Sequence, residues 1–135
     1  MVCKLTLLHH QLIRNYFYTG RLNLNWLYFV CFVILDLEPE KWDRVLTDEY
    51  IDKLAPLVGS QSLQFLLELD MTFQEWEQIK YRQSERELVC LNCDILEAWK
   101  QNCYKCDVKP TLRDIGRAFG NIGKHIQIIE NTLFD

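Results

Sequence analysis

The sequence predicts an all-α fold, and three observations support that prediction. Apolar residues recur at helical spacing in six successive segments between residue 47 and residue 135, which is the pattern of amphipathic helices. Two of these segments begin with a threonine or serine that is followed three residues later by glutamate, the pattern of a capping box. No segment shows the regular alternation of apolar and polar residues that a half-buried strand requires.

Length and charge indicate a single protein-binding domain. The 135 residues, 49% hydrophobic and 25% charged, suffice for one globular core. All 19 acidic residues lie at or beyond Asp36, whereas the first 35 residues contain three basic residues and no acidic one. The remainder therefore carries 12 basic and 19 acidic residues, a formal charge of −7. Because phosphate contacts need a concentrated positive face, this balance argues against nucleic-acid binding and favours protein partners.

Residues 1–36 form an apolar, acid-free extension that differs from the domain expected over residues 37–135. Residues 26–35 (WLYFVCFVIL) are continuously apolar, but a membrane-spanning helix needs about 20 such residues. A basic flank before a short apolar run has the outline of a signal peptide, yet Asp36 and further acidic residues replace the small residues of a cleavage site. Three alternatives remain for this extension: membrane contact through residues 22–35, an accessory element docked on the domain, or sequence absent from the mature protein.

Capping residues and a terminating glycine predict the first elements of the domain. A short helical turn over residues 40–46 is expected to pack Trp42 inward. Thr47 or the residue after it can cap the next helix, and Gly59 ends it. Residues 60–69 are too apolar on every side for an exposed helix, so this segment is expected to lie near the core.

Capping patterns mark the next two helices. Thr72 and Glu75 open a helix that turns Trp76 and Ile79 inward. The segment 84–87 (SERE) repeats the pattern and opens the longest helix, over about residues 85–104. Apolar spacing predicts one broad buried stripe along that helix, at Leu88, Leu91, Ile95, Ala98 or Trp99, and Asn102.

Two further helices follow a turn over residues 107–110. Thr111 can cap the first of them, with Asp114 at the following capping position. The apolar side of this helix is expected at Leu112, Ile115, Ala118 and Phe119. Glycines at positions 120 and 123 end it, and the inner side of the last helix is expected at Ile126, Ile129 and Leu133.

Four of these stretches, in this order, resemble the death domain, an antiparallel six-helix bundle that mediates protein interactions. The stretches are residues 51–59 (IDKLAPLVG), 63–69, 95–100 (ILEAWK) and 111–120 (TLRDIGRAFG), and the resemblance covers roughly residues 47–135. Its best part is the aliphatic run of the fourth helix, which ends in Trp99.

The chain departs from the family at one position. Many death domains carry a tryptophan shortly after the glycine that ends the first helix, whereas this chain has Ser62 and Leu63 there. Phe65 or Trp76 is expected to fill the corresponding volume of the core.

The resemblance implies a cytoplasmic adaptor with no catalytic site. One death domain binds another, often in an oligomer that forms on activation and transmits apoptotic or innate-immune signals, so the expected partners are other death-domain proteins. The implied contact residues are charged side chains on the third helix, around the turn before the fifth helix, and on or after the fifth helix: Glu75, Glu77, Lys80, Arg82, Lys105, Asp107, Lys109, Arg113, Arg117 and Lys124.

Cysteine spacing offers an alternative function, a zinc-binding helical adaptor. Cys90 and Cys93 form one C-x-x-C pair, and Cys103 and Cys106 form a second, which is the spacing of many zinc sites. If the fourth helix is continuous, however, Cys90 and Cys103 lie about 20 Å apart along it. Zinc binding by all four thiolates therefore requires that helix to break.

Enzyme activity and cofactor binding are not expected. His125 is the only histidine beyond residue 36, and the sequence contains neither a plausible Ser/His/Asp set nor a glycine-rich phosphate loop. The cysteines do not lie in the loop-rich setting of a secreted disulfide scaffold, which favours reduced thiols inside the cell. A structural helical bundle with one fixed partner is a further alternative.

Overall fold

The computed structural model describes residues 37–82 and 87–135, and this part of the chain is all-α, as the sequence predicted. The only strand-like contact in these two ranges is an isolated antiparallel bridge between Val45 and Thr111. The expectations for residues 1–36, including cleavage and membrane contact, lie outside the described residues. Seven helices are present in the described ranges: α1 (Pro39–Trp42), α2 (Asp48–Val58), α3 (Ser62–Glu68), α4 (Phe73–Arg82), α5 (Leu88–Lys105), α6 (Leu112–Asn121) and α7 (Ile126–Phe134).

The helix boundaries of α2 and α4 confirm the capping predictions. The Thr47 side chain accepts a hydrogen bond from the backbone N–H of Tyr50 at 3.3 Å, and Gly59 ends α2 with a positive φ of 58°. At the start of α4, Thr72 Oγ1 accepts from the backbone N–H of Glu75 at 3.1 Å. The Glu75 carboxylate in turn accepts from the backbone N–H of Thr72 at 2.6 Å. Two otherwise unpaired backbone donors are therefore satisfied reciprocally.

The longest helix differs from its prediction in where it begins and in which residues it buries. The proposed capping segment 84–87 falls largely among residues 83–86, which are outside the described ranges, and the described helix begins at Leu88. Leu88 itself is 43% exposed, so its predicted place on the buried stripe is wrong. Ile95 and Trp99 are buried as predicted, and Asn92, Leu96 and Cys103 complete the buried side of α5. The other predicted positions, Leu91, Ala98 and Asn102, are half-buried.

The core forms where α5 packs against α2, α3 and α4, with α7 against α2 and α6, and α6 against α3 and α1. Trp99 is buried, as predicted. Phe65 of α3 supplies the expected aromatic volume, since it is fully buried and its ring centroid lies 4.6 Å from that of Phe119 in α6. The predicted apolar side of α6 is confirmed, since Leu112, Ile115, Ala118 and Phe119 are all buried. On α7, Ile129 and Leu133 are buried as predicted and Ile126 is half-buried.

Asn92 is buried because it joins three segments of the core. Its amide nitrogen donates to the backbone oxygens of Ala55 and Gly59, both at 3.1 Å. Its amide oxygen accepts from the hydroxyl of Ser62 at 2.5 Å. Ala55 and Gly59 belong to the end of α2, and Ser62 begins α3, so this one side chain fixes the α2–α3 connection against α5.

The short helix α1 closes one end of the bundle. Trp42 is buried against Gly116 of α6, where a Cβ atom would approach the Trp42 ring to 2.8 Å. Trp42 also meets Phe134 of α7 edge-on at 5.3 Å between ring centroids. Lys41 and Arg44 lie over the same Phe134 ring, at 5.8 and 5.5 Å from its centroid. The expected helical turn around Trp42 is present, but it spans Pro39–Trp42 and not residues 40–46. It connects the start of the domain to its last helix.

Candidate protein-interaction surfaces

The outer side of α4 combines exposed aromatic rings with charged groups. Phe73 is 57% exposed and Tyr81 is 84% exposed, and Glu77 and Lys80 between them are exposed as predicted. Ile79, on the opposite side of the helix, is buried and anchors it to the core. Trp76 was predicted to turn inward; it is half-buried and packs against the core, at the edge of this side. We call the side formed by Phe73, Glu77, Lys80 and Tyr81 the α4 surface.

A second exposed set of residues lies at the turn between α5 and α6. Tyr104 is 52% exposed, and Lys105, Asp107 and Lys109 are exposed as predicted. The turn is fixed by a hydrogen bond from the Val108 N–H to the Cys103 oxygen at 2.9 Å and by a positive φ of 57° at Asp107. We call Tyr104, Lys105, Asp107 and Lys109 the turn surface.

The charged groups on these surfaces are available for a partner. Within residues 37–82 and 87–135, salt bridges involve Lys41, Lys53, Lys100 and Arg113. None of the six exposed candidates on or beside the two surfaces takes part in one of these pairs: Glu77, Lys80, Arg82, Lys105, Asp107 and Lys109. Lys80 instead lies over the Trp76 ring, with its nitrogen 5.8 Å from the ring centroid.

Two other predicted contact residues are engaged within the fold. The Glu75 carboxylate completes the capping box of α4 and also accepts from the Asn102 amide at 2.9 Å. This hydrogen bond places the start of α4 beside the last turns of α5. The Arg113 side chain donates to the Asp43 carboxylate at 2.8 Å and to the Leu37 backbone oxygen at 3.0 Å. Both residues therefore hold elements of the domain together.

The expected exposure of Arg117 is wrong. Only 3% of Arg117 is exposed, because α6 is covered by α1, α3 and α7 and therefore buries most of its circumference. Lys124, in the connection from α6 to α7, is half-buried.

The zinc-binding alternative conflicts with the observed helix. α5 runs without a break from Leu88 to Lys105, so Cys90 and Cys103 are separated by about 20 Å along its axis. A tetrahedral zinc ion needs all four sulfurs at about 2.3 Å from it, and no group of three or more metal-binding side chains suited to an ion occurs among the described residues. A shared site for Cys90, Cys93, Cys103 and Cys106 is therefore wrong.

The Cys93 thiol lies close to acidic groups of α2 and α5. Burial raises its pKa above the ordinary value, and the carboxylate of Asp52, the Cys90 thiol and the carboxylate of Asp94 raise it further. A raised pKa keeps the thiol protonated at neutral pH, which weakens it as a nucleophile and as a metal ligand. This side chain is therefore better suited to packing than to chemistry.

Sequence reasoning missed the exposed aromatic residues on both surfaces. Phe73 and Tyr81 are eight residues apart, so they lie on the same side of α4 and away from Ile79. That spacing is visible in the sequence, but apolar periodicity predicts only which side of a helix is buried. Tyr104 gave no comparable signal, because its exposure depends on where α5 ends.

Comparisons with protein-family models, with curated proteins and with solved structures gave no match for this chain. The described part of the chain contains no helix that is both long and apolar enough to cross a membrane. Fold and surface chemistry therefore define residues 37–82 and 87–135 as an all-α domain with two exposed aromatic and charged surfaces.

Proposed function

We propose that this chain is a non-enzymatic interaction module that recruits other domains of death-domain type in apoptotic or innate-immune signalling. The observation that carries the proposal is the turn surface, where an exposed tyrosine lies among three charges that have no salt-bridge partner in the described ranges. Aromatic residues are enriched at protein interfaces, and large aromatic side chains dominate their binding energy. The resemblance of residues 47–135 to the death domain supplies the class of partner.

Charge supports a partner with an acidic surface. The residues from Asp36 onward carry a formal charge of −7, yet the turn surface presents Lys105 and Lys109 around a single carboxylate, Asp107. A local basic surface on an acidic domain steers an acidic partner surface towards it and repels a basic one. We expect the recruited domain to present acidic groups opposite the two lysines.

We place the interaction in the cytoplasm, with oligomers forming on activation. The cysteines of the sequence do not lie in the loop-rich setting of a secreted disulfide scaffold, which supports a reducing compartment. Assembly that depends on protomer concentration is also what a signalling adaptor requires, because recruitment then raises the local concentration and drives association.

The turn surface is tested by charge reversal. The full chain and the variant Lys105→Glu/Lys109→Glu are mixed with purified death-domain proteins, and complex formation is measured by size-exclusion chromatography with light scattering. We expect the wild type to bind at least one candidate and the double variant to bind it roughly tenfold more weakly. Raising NaCl from about 50 to 500 mM should also weaken the wild-type complex, because salt screens exposed charges.

Lys53→Glu is the control for a single lysine reversal outside the turn surface, since Lys53 is a partly exposed lysine on α2 that pairs with Glu49 at 3.4 Å. This control should bind like the wild type. If no candidate death domain binds the full chain, or if the double variant binds as tightly as the control, the proposed function is wrong.

A further inference from the structure

Two cysteines lie at the end of α5, one on each side of the residues that begin the turn surface. Cys103 is buried, with 5% of its surface exposed, and Cys106 is half-buried and caps the helix. Tyr104 and Lys105 lie between them in the chain. A chemical change that joins the two sulfurs therefore acts directly on the turn surface.

The last turn of α5 has 3₁₀ character. The N–H of Cys106 donates to the backbone oxygen of Cys103 at 3.1 Å, which is shorter than its 3.3 Å bond to the oxygen of Asn102. A hydrogen bond between residues three apart is typical of a 3₁₀ turn, in which the side chains at these two positions eclipse each other. Cys103 and Cys106 therefore lie one above the other on the same side of the helix end.

The spacing of this pair is close to what a disulfide requires. A disulfide needs Cβ atoms about 3.8 Å apart, whereas residues three apart on a regular α-helix have about 5–6 Å between their Cβ atoms. The 3₁₀ character of the last turn closes part of this gap. Because α5 ends here, the remaining movement involves only the turn that follows.

The other cysteine pair is less suited to the same reaction. Cys90 and Cys93 both lie within α5, where closing the gap would distort a helix that is packed against α2, α3 and α4. Burial and the nearby Asp52 carboxylate also raise the pKa of the Cys93 thiol, which lowers the fraction of reactive thiolate. Helix geometry therefore favours the pair at the end of α5.

We propose that Cys103 and Cys106 form a reversible disulfide that switches the turn surface between two conformations. The oxidant is a small-molecule disulfide of the glutathione class. The thiolate of Cys106, the more exposed of the two, attacks one sulfur of the oxidant, whose S–S bond breaks, and one glutathione leaves and takes up a proton. The Cys103 thiolate then attacks the Cys106 sulfur and releases the second glutathione. The protein loses two electrons and two protons, and the oxidant gains them as two thiols.

The disulfide changes the turn because Cys103 anchors it in two ways. Its backbone oxygen accepts the hydrogen bond from the Val108 N–H at 2.9 Å, and its side chain belongs to the hydrophobic core. Drawing the Cys103 side chain towards Cys106 winds the last turn further, from about 100° to about 120° per residue. Tyr104 and Lys105 then rotate about the helix axis by about 20–40°.

Oxidation therefore weakens recruitment by the turn surface. The inference rests on the proposed function, because the turn surface is the site that binds the partner. A partner surface that fits Tyr104 and Lys105 in the reduced form no longer fits both after the rotation. Strained disulfides are the readily reduced, regulatory ones, so the pair returns to its reduced form when the oxidant is removed.

Disulfide mapping tests the covalent step. The full chain is equilibrated in glutathione buffers from fully reduced to fully oxidised, the remaining thiols are blocked with N-ethylmaleimide, and the denatured protein is digested with trypsin. Cleavage after Lys105 divides the pair between residues 101–105 and residues 106–113, whereas Cys90 and Cys93 stay together in residues 87–100. We expect the first two peptides to be joined after oxidation and to separate on treatment with dithiothreitol.

Hydrogen exchange tests the conformational step without any partner. The Val108 amide, followed by NMR, should exchange roughly tenfold faster in the oxidised chain, because the oxygen that accepts its hydrogen bond moves. Cys106→Ser cannot close the disulfide, so its Val108 amide should exchange equally in both buffers. Cys106 is chosen for substitution because it is half-buried, whereas a change at Cys103 would disturb the core.

Binding of a death-domain partner tests the effect on recruitment. The oxidised wild type should bind roughly tenfold more weakly than the reduced wild type, and Cys106→Ser should bind equally in both buffers. Cys90→Ser/Cys93→Ser is the matched control, because it removes a cysteine pair of the same spacing, and it should respond to oxidation like the wild type. Cys3 and Cys31 are unchanged in every variant, so any effect of their oxidation would persist in Cys106→Ser.

Three results would overturn the inference: peptides 101–105 and 106–113 that stay separate in every oxidising buffer, a disulfide that forms without changing Val108 exchange, or a partner that binds the oxidised and reduced chains equally. The last of these would leave the proposed function intact. A disulfide that changes Val108 exchange in a chain that binds no death domain would instead support the switch and contradict the proposed function.

Discussion

Replacing Asn92 with alanine should destabilise the domain more than any single change on its two surfaces. The Asn92 side chain makes three hydrogen bonds inside the core, two to the end of α2 and one to Ser62 at the start of α3. A typical intramolecular hydrogen bond contributes about 1 kcal/mol net, so their loss costs about 3 kcal/mol. Alanine regains about 0.5 kcal/mol through its higher helix propensity. We therefore expect the free energy of unfolding to fall by about 2.5 kcal/mol, a large share of the 5–15 kcal/mol typical of a domain.

Urea unfolding followed by circular dichroism measures this change. The matched control is Gln101→Ala, since Gln101 lies on the same helix and its side chain bonds only to Glu97 on the exposed side. The control should lose less than about 0.5 kcal/mol. Asn92→Asp should lower the free energy of unfolding more than Asn92→Ala does. It removes both N–H donors of the amide and places a carboxylate beside two carbonyl oxygens. If Asn92→Ala unfolds within about 0.5 kcal/mol of the wild type, the α2–α3 connection does not depend on this residue.

Three further changes test the packing by the same unfolding measurement. Gly116→Ala should cost about 1–3 kcal/mol, because the new methyl group would meet the Trp42 ring at 2.8 Å; an unchanged midpoint would mean that Trp42 can shift freely. Thr72→Ala removes one half of the α4 capping box and should cost about 1 kcal/mol, and no loss would show that the cap is dispensable. Arg117→Glu should cost at least about 3 kcal/mol because the site is buried, whereas Lys109→Glu on the exposed turn should leave stability unchanged; equal effects would contradict the assigned burial.

The sequence predicts which segments are helical more reliably than which side of each helix is buried. Thr47, Gly59 and the Thr72–Glu75 pair act through local hydrogen bonds and backbone preferences, so their roles were readable from the sequence. The buried side of α5 was not readable in the same way. It depends on hydrogen bonds from Asn92 to carbonyl groups more than thirty residues earlier in the chain. The local sequence around a polar residue does not show whether backbone oxygens from a distant part of the chain will accept its hydrogen bonds.

The candidate surfaces were predictable only in part for the same reason. Charge alone selected ten residues, and six of them prove exposed on or beside the two surfaces. Charge could not show that Glu75 and Arg113 have partners inside the domain, or that Arg117 is covered by neighbouring helices. Those outcomes depend on which helices meet, and spacing along one helix does not contain that information.

The contact of Trp42 with Gly116 and Phe134 has a consequence for biosynthesis. A four-residue helix such as α1 has no stability of its own, and the surfaces that receive its tryptophan belong to the last two helices. Trp42 leaves the ribosome long before those helices are made, so this ring stays accessible to chaperones until residue 134 has emerged. During translation of this domain, α1 and its tryptophan therefore stay unpacked until nearly all of the domain has been made.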